Sequence, residues 1–390
     1  MKKAISLILA FVLAFAMLIP SGAASQADTK LQFNKDGSFR IMQISDMQDG
    51  VILTPAVTDY LKKAIPLADP DLIVLSGDNI SGGSTGIGVN VIDKPFVKIA
   101  IDRFMSIFEE FGIPVAVVFG NHDAENGVSK EEQMAIYNSY DCCIAIDEGD
   151  ALYGCGTYNL PIYSSTDSSK IAYNLWMIDS NMYDESGDGY DHVHEDQIKW
   201  YKDTSNALKA QNGGEPVPSM MFQHIVVPEI YEALKVVPEG TPNSFGRGDN
   251  YYALDPENTI TGSLWESPCP ADKNGGQFDA ILEQGDVVAM FFGHDHKNTY
   301  QIKYKGVELV NTPGISFGSY GNEERGTRII DINENDRTYK TSIIRYLDLF
   351  ADDELALERY TLYGNEFETG DKIVAFFNCV ILHIKNLFNF

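Results

Sequence analysis

The chain has 390 residues, 44% of them hydrophobic, and carries 29 Lys and Arg against 56 Asp and Glu, a formal net charge of −27. That length and composition suit one large domain with decoration, or two small domains. The acidic balance argues against binding to nucleic acid or to an anionic membrane surface, and an acidic protein that handles an anionic substrate needs a local positive source such as bound metal ions.

Lys2 and Lys3 precede an apolar stretch from Ala4 to Ile19, and small residues follow, with Ser25 and Ala27 in an A-x-A-like arrangement. This pattern predicts a secretory signal peptide over residues 1–27, and so a secreted or cell-surface protein. The apolar run is short for an uncleaved span. The mature chain then opens on a predicted hairpin, with strands over 31–33 and 39–45 around a turn at 34–37. A helix follows over 54–68, with Thr54 as cap and Pro55 in the first turn. Residues 71–76 form a short apolar strand that ends at Gly77-Asp78-Asn79, and a Gly/Ser-rich loop covers 81–88.

From Lys94 to Phe111 the apolar residues recur at helical spacing, and Gly112 stops the helix. Residues 113–119 are a strand feeding the tetrad Gly120-Asn121-His122-Asp123. Strands over 173–179 and 220–223 flank a helix over 195–210, and a strand over 286–292 feeds a second tetrad, Gly293-His294-Asp295-His296. Strands alternating with helices predict an α/β core. Closing strands over 307–311, 327–333 and 339–346 lack long helices between them, which implies a mixed or antiparallel region. Residues 238–276, rich in Gly, Pro, Asn and Ser, read as a long functional or mobile loop. The expected division is a catalytic-type domain over 28–350 and a C-terminal extension over 351–390. In that extension Ile373, Phe377, Val380, Ile384 and Leu387 share one helical face, open to docking on the domain, on a membrane surface or on a partner. The five cysteines show no CxxC spacing, which argues against a Cys-rich zinc site. Export would permit a disulfide, with Cys155 to Cys142 or Cys143 as the nearest pairing.

Candidate ligands cluster at the ends of apolar runs: Asp46, Gln48, Asp78, Asn121, His122, Asp123, His224, His294 and His296. Polar residues at the carboxyl ends of strands sit where open α/β sheets hold their ligands. Mixed Asp, Asn and His donors suit borderline or hard divalent ions such as Mn, Fe and Zn. Asp78 is the candidate bridge between two ions, with a water between them as nucleophile and a histidine to protonate the leaving oxygen. His192 and His194 lie in an acidic stretch, 184–196, that lacks EF-hand spacing and reads as a solvated loop. Arg325 is open to two readings, a bidentate contact to substrate phosphate or an ordinary surface salt bridge.

The ordered elements Asp46-Met47-Gln48, Gly77-Asp78, Gly120-Asn121-His122-Asp123, His224 and Gly293-His294-Asp295-His296 resemble the calcineurin-like metallophosphoesterase superfamily. Within it the chain looks most like the purple acid phosphatase-like branch, through residues 223–229, Gly189-Tyr190-Asp191 and residues 293–298. The resemblance implies a four-layer α/β sandwich, two central mixed β-sheets flanked by helices, and a phosphoester substrate. It implies a dinuclear centre of two divalent transition-metal ions, Mn, Fe or Zn. Asp46, Asp78 and His296 would hold the first ion, with Gln48 as a further candidate, and Asp78, Asn121, His224 and His294 the second. His122 would be catalytic, oriented by a carboxylate such as Asp123, and Asn121, His122 and Arg325 would face substrate. Two departures stand out. Gln48 occupies a position where many members have histidine. A purple acid phosphatase proper has a tyrosine ligand three residues after the bridging aspartate, where this chain has Ser81. The rival expectation is a non-catalytic surface binding protein on a retained phosphoesterase scaffold.

Overall fold

The computed structural model describes residues 29–51, 53–82, 94–184 and 189–388. The predicted signal peptide over 1–27, and the Gly/Ser-rich loop beyond residue 82, lie outside the described residues. In chain order the first half contains β1 (Ser38–Ile44), α1 (Pro55–Ala68), β2 (Leu72–Ser76), α2 (Lys94–Phe111), β3 (Val115–Val118), α3 (Lys130–Tyr137), β4 (Tyr158–Tyr163), β5 (Ile171–Met177) and α4 (Glu195–Gln211). The elements β6 (Ser219–Phe222), β7 (Lys235–Val237), β8 (Phe245–Arg247), β9 (Asn250–Ala253), β10 (Thr259–Thr261), α5 (Gln277–Gln284) and β11 (Val287–Phe292) follow. The chain closes with β12 (Gln301–Tyr304), β13 (Val307–Asn311), β14 (Gly326–Asn333), β15 (Tyr339–Arg345), α6 (Glu354–Tyr363) and α7 (Thr369–Phe388).

Two mixed sheets form the centre. The first has the order β15-β14-β1-β2-β3, with β1, β2 and β3 parallel and β14 antiparallel to β1. The second has the order β10-β12-β13-β11-β6-β5-β4, and β5, β6, β11 and β13 run parallel within it. The side-chain period of a strand explains how the second sheet serves two cores. Leu175, Met177, Met220, Phe222, Ala289 and Phe291 join the core that contains β1–β3, α1 and α2. Their neighbours in sequence, Trp176, Met221, Met290 and Phe292, join a separate core under α4 and α5, with Tyr201, Leu208, Phe278 and Ile281. Continuous apolar runs such as Leu72–Ser76 are buried along their whole length, as parallel strands covered on both faces must be. The architecture is the expected one, two mixed sheets flanked by helices.

Local sequence accounts for most element limits. Pro55 starts α1, where its missing N–H costs nothing. Gly112, at φ 65°, ends α2 in a conformation that disfavours a side chain. Polar ties hold the sheets together beneath the strand ends. Buried Gln43 donates to Ser76 Oγ at 2.9 Å and Phe292 O at 3.3 Å, and accepts from Thr312 Oγ1 at 2.6 Å.

Four expectations need correction. Residues 31–33 do not pair with β1. Gln32 bridges in parallel to Tyr163, with Phe33 N donating to Tyr163 O at 2.9 Å, because Leu31 and Phe33 find a buried site there. Residues 238–276 are not one long loop: they build most of a three-stranded sheet, β7-β9-β8, and supply β10 to the edge of the second sheet. The boundary at 350 is too early, because α6 places Ala356 and Tyr360 in the main core. All five cysteines are free thiols, so no pairing of Cys155 with Cys142 or Cys143 exists.

The terminal helix α7 packs along α6, with Ala375 buried and Asn378 Nδ2 donating to Glu358 Oε1 at 2.9 Å. It leaves Ile373, Val374, Phe377, Val380, Ile381 and Ile384 exposed. Among the described residues no helix is long and apolar enough to cross a membrane.

Candidate metal centre

The parallel strands β1, β2, β3, β6 and β11 deliver their carboxyl ends to one place. Asp46 follows β1, Asp78 follows β2, Asn121 and His122 follow β3, His224 follows β6, and His294 and His296 follow β11. Backbone bonds lock these ends side by side: Asp46 N to Gly77 O at 3.1 Å, Gln48 N to Asp78 O at 2.9 Å and Gly293 N to His224 O at 3.1 Å. Asp46, Gln48, Asp78 and His294 all adopt positive φ, at 49°, 39°, 51° and 69°. Each such residue costs of order 1–3 kcal/mol, and this kind of strain gathers at functional sites. Two glycines are required by close approach. A Cβ on Gly77 would lie 2.5 Å from His224 Nδ1, and one on Gly120 would lie 2.2 Å from Asp78 Oδ1.

Asp78 is the hub. Its Oδ1 accepts from His122 N at 2.8 Å, and its Oδ2 lies 3.2 Å from His224 Nε2. Two ligand groups share it: Asp78 with His224 and His294, and Asp46 and Asp78 with His296, each with its donor atoms within 4.8 Å of one another. Asp46 Oδ1 sits 3.3 Å from His296 Nε2 and 3.7 Å from His224 Nε2. The Nδ1 atoms of His224 and His296 lie 2.9 Å from Ser76 O and 2.8 Å from Tyr320 O. A hydrogen on Nδ1 satisfies those carbonyls and aims the Nε2 lone pair into the cluster, the usual way a protein fixes a ligating imidazole. Tyr320 also stacks on the His296 ring, 4.1 Å between centroids and 3° from parallel.

Burial opposes charge on Asp78, yet the rings of His224, His122 and His294 outweigh it and hold the carboxyl below its ordinary range. His224 is also opposed by burial, and Asp78 and Asp46 raise it to about 10. Burial and the neighbouring His224 lower His294 to about 3, leaving it neutral and able to ligate. The two carboxylates draw positive charge to the cluster, which a proton on His224 or a metal ion in its place can supply. Asp46 Oδ1, Asn121 Oδ1 and His224 Nε2 are buried without a hydrogen-bond partner among the described residues. Buried polar atoms are nearly always paired. Three orphans of ligand type around one carboxylate fit a pair of divalent ions.

His122 is the exposed member, with 38% of its side chain accessible. Its Nδ1 lies 2.6 Å from Glu125 Oε2, and Tyr183 OH donates to Glu125 Oε1 at 2.7 Å. Asn121 Nδ2 donates to the same tyrosine hydroxyl at 3.3 Å. The carboxylate against the His122 ring is thus Glu125, and the expected role of Asp123 is corrected. Asp123 turns inward, accepting from Gly120 N at 2.7 Å, Asn79 N at 2.9 Å and Ile80 N at 3.1 Å, so that it staples two site loops. Burial and nearby Asp78 raise its carboxyl to about 7. Gln48 points its amide nitrogen at Asp78 Oδ2, 2.8 Å away, and stands as a donor to the hub.

Arg325 does not reach the centre as a substrate contact. It is fully buried, donating Nε to Ser316 O at 2.6 Å and Nη1 to Glu366 Oε1 at 2.5 Å, with the faces of Phe317 and Tyr360 beside the guanidinium. It ties the C-terminal segment to the core. His192 and His194 also depart from the solvated-loop reading: both rings turn onto the buried carboxylate of Asp191. Asp295 accepts from Cys269 N at 3.1 Å, tying the segment before α5 to the second tetrad.

The sheet topology and the ligand cluster define a metallophosphoesterase-type α/β protein. The family model described as calcineurin-like phosphoesterase matches residues 39–298. The chain belongs to that family and is a phosphoric ester hydrolase by class. It is 30% identical over 326 residues to "Probable inactive purple acid phosphatase 14" of Arabidopsis thaliana, spanning 75% of this chain and 74% of that one. It is 27% identical over 356 residues to "Probable inactive purple acid phosphatase 29" of the same plant, spanning 83% and 84%. Among solved structures, a dimetal phosphatase from Danio rerio aligns over 79% of this chain and 99% of its own at 14% identity, with a TM-score of 0.48.

Proposed function

We propose that the chain is an active hydrolase of phosphoesters that works outside the cytoplasm with two divalent transition-metal ions, Mn, Fe or Zn. The observation that carries this reading is the convergence around Asp78 of buried ligand atoms on Asp46, Asn121 and His224 that make no hydrogen bond among the described residues, two of them facing only other ligand atoms. Asp46, Asp78 and His296 would hold one ion, and Asp78, Asn121, His224 and His294 the other. Bound there, the ions supply an activated water and neutralise charge on the phosphoryl oxygens. Gln48 steadies Asp78 through its amide hydrogen. His122 holds Nε2 beside the cluster, 3.9 Å from Asp78 Oδ2, and from there it gives a proton to the leaving oxygen as the P–O bond breaks. Glu125 holds the His122 ring from behind through Nδ1, and Tyr183 holds Glu125. The position outside the cytoplasm is supported by Lys2, Lys3 and the apolar run from Ala4 to Ile19. A mature amino terminus near residue 28 would bear it out.

The test is hydrolysis of an aryl phosphate and a bis-aryl phosphate with Mn²⁺, Fe²⁺ or Zn²⁺, compared with Asp78→Ala. Turnover in the parent and none in the variant is expected. A second reading, a binding protein on a retained scaffold, is favoured by Gln48 and by the word "inactive" in the names of the plant relatives. Little bound metal and no turnover on either substrate would select it.

A further inference from the structure

Asp191, His192 and His194 form a third ligand group, separate from the six ligands of the dinuclear centre. His192 Nδ1 lies 2.9 Å from Asp191 Oδ1, and His194 Nε2 lies 2.9 Å from Asp191 Oδ2. The two rings are nearly parallel, 4.6 Å apart and 19° from coplanar, and Tyr153 covers the His194 ring at 3.6 Å. Asp191 is buried, and the side chains of His192 and His194 are only 14% and 28% exposed. Two imidazoles directed at one buried carboxylate are an arrangement that borderline divalent ions select.

A second, independent observation points the same way. Glu229 is 6% exposed, and its Oε2 has no hydrogen-bond partner among the described residues, while its Oε1 accepts from Asn274 Nδ2 at 2.7 Å. Glu229 lines a cavity of about 20 Å³ whose wall also contains Asp191 and His192. A space of that size holds about one water-sized sphere. Lys273 lines the same cavity, but no ion pair joins it to Glu229 or Asp191 among the described residues. Glu229 Oε2 is thus a buried acceptor that no hydrogen bond or ion pair reaches among the described residues.

We propose that Asp191, His192 and His194 bind a third divalent ion of the zinc type, with Glu229 facing it across the cavity. Ligand bonds of about 2.0–2.2 Å put tetrahedral ligand atoms roughly 3.3 Å apart, so the observed 2.9 Å separations need to open only slightly. The ion would lock the connection between Tyr190 and α4. Tyr190 meets the His294 ring edge-on at 4.5 Å, so the same connection walls the dinuclear centre. The role is structural, and it does not depend on the hydrolase reading.

The experiment loads the full chain with Zn²⁺, removes free metal by gel filtration and counts ions per chain by plasma emission, for the parent and for His194→Gln. One ion fewer in the variant is expected, whatever number the dinuclear centre holds. Equal counts overturn the proposal and leave an adventitious ion only. His194 begins α4, so its replacement can impair folding. His192→Asn, on the preceding loop, gives the same reading, and a count equal to the parent's again overturns it. Failure of the hydrolase reading would show differently, as missing turnover with the one-ion difference intact.

Discussion

The imidazole of His122 and the carboxylate of Glu125 stand 2.6 Å apart, Nδ1 to Oε2, three residues apart on the turn that follows β3. The contact fixes the ring with Nε2 toward the cluster, 3.9 Å from Asp78 Oδ2. Glu125→Gln keeps the shape but weakens the contact that orients the ring. We expect kcat to fall roughly 10–100-fold with metal content unchanged, since supporting residues of this kind carry effects of that size. His122→Ala should cost about 10²–10⁴-fold in kcat, again with metal retained. Steady-state kinetics together with metal analysis check both. Loss of metal in His122→Ala would show that the ring ligates instead.

Asp78 belongs to both ligand groups, whereas His296 belongs to one. Asp78→Ala should therefore remove more metal than His296→Ala does. Plasma emission on the two purified variants reads the difference. Equal losses would remove Asp78 from its place as the shared ligand.

Gly120 sits where a side chain has no room, with a Cβ falling 2.4 Å from Asp78 N as well as 2.2 Å from Asp78 Oδ1. Gly120→Ala must push the hub away from His224. Overpacking of this kind typically costs about 1–3 kcal/mol, so thermal unfolding should move to lower temperature and metal affinity should drop. An unchanged melting temperature would mean that the loop gives way freely.

Arg325 and Glu366 predict a stability effect without a substrate effect. Breaking a fully buried pair by removing one partner costs roughly 3–5 kcal/mol, and the cost here falls toward the bottom of that range or below it because Glu366 is partly open to solvent. Arg325→Met should lower the melting temperature and leave KM for an aryl phosphate unchanged. A raised KM in a fully stable variant would return Arg325 to the substrate site.

Asp46, Asp78, Asn121, His224, His294 and His296 were legible in the sequence because each lies within a few residues of the end of an apolar strand, and strand ends meet in a parallel sheet. The carboxyl end of helix α2 was legible to the residue, since one apolar face and Gly112 define it. Glu125 carried a weaker local signal, a carboxylate three residues beyond His122, and Asp123 was the nearer candidate. Its burial under three backbone N–H groups depends on how the loops after β2 and β3 pack. Tyr183 and Tyr320 lie far along the chain from the histidines they support, and only the fold brings them there. Arg325 was ambiguous for the same reason, because its partner Glu366 lies 41 residues away. His192 and His194 looked solvated because their acidic neighbours mask the burial of Asp191.

The central claim is that Asp78 and its neighbours hold two ions that support hydrolysis. The most direct measurement is metal content and aryl phosphate turnover on one preparation of the full chain, before and after chelation. The account predicts that chelation removes the activity and that Mn²⁺, Fe²⁺ or Zn²⁺ restores it, with two ions per chain bound by Asp46, Asp78, Asn121, His224, His294 and His296. Turnover that survives complete removal of metal, or a fully loaded centre with no turnover on mono- or diester, would contradict it.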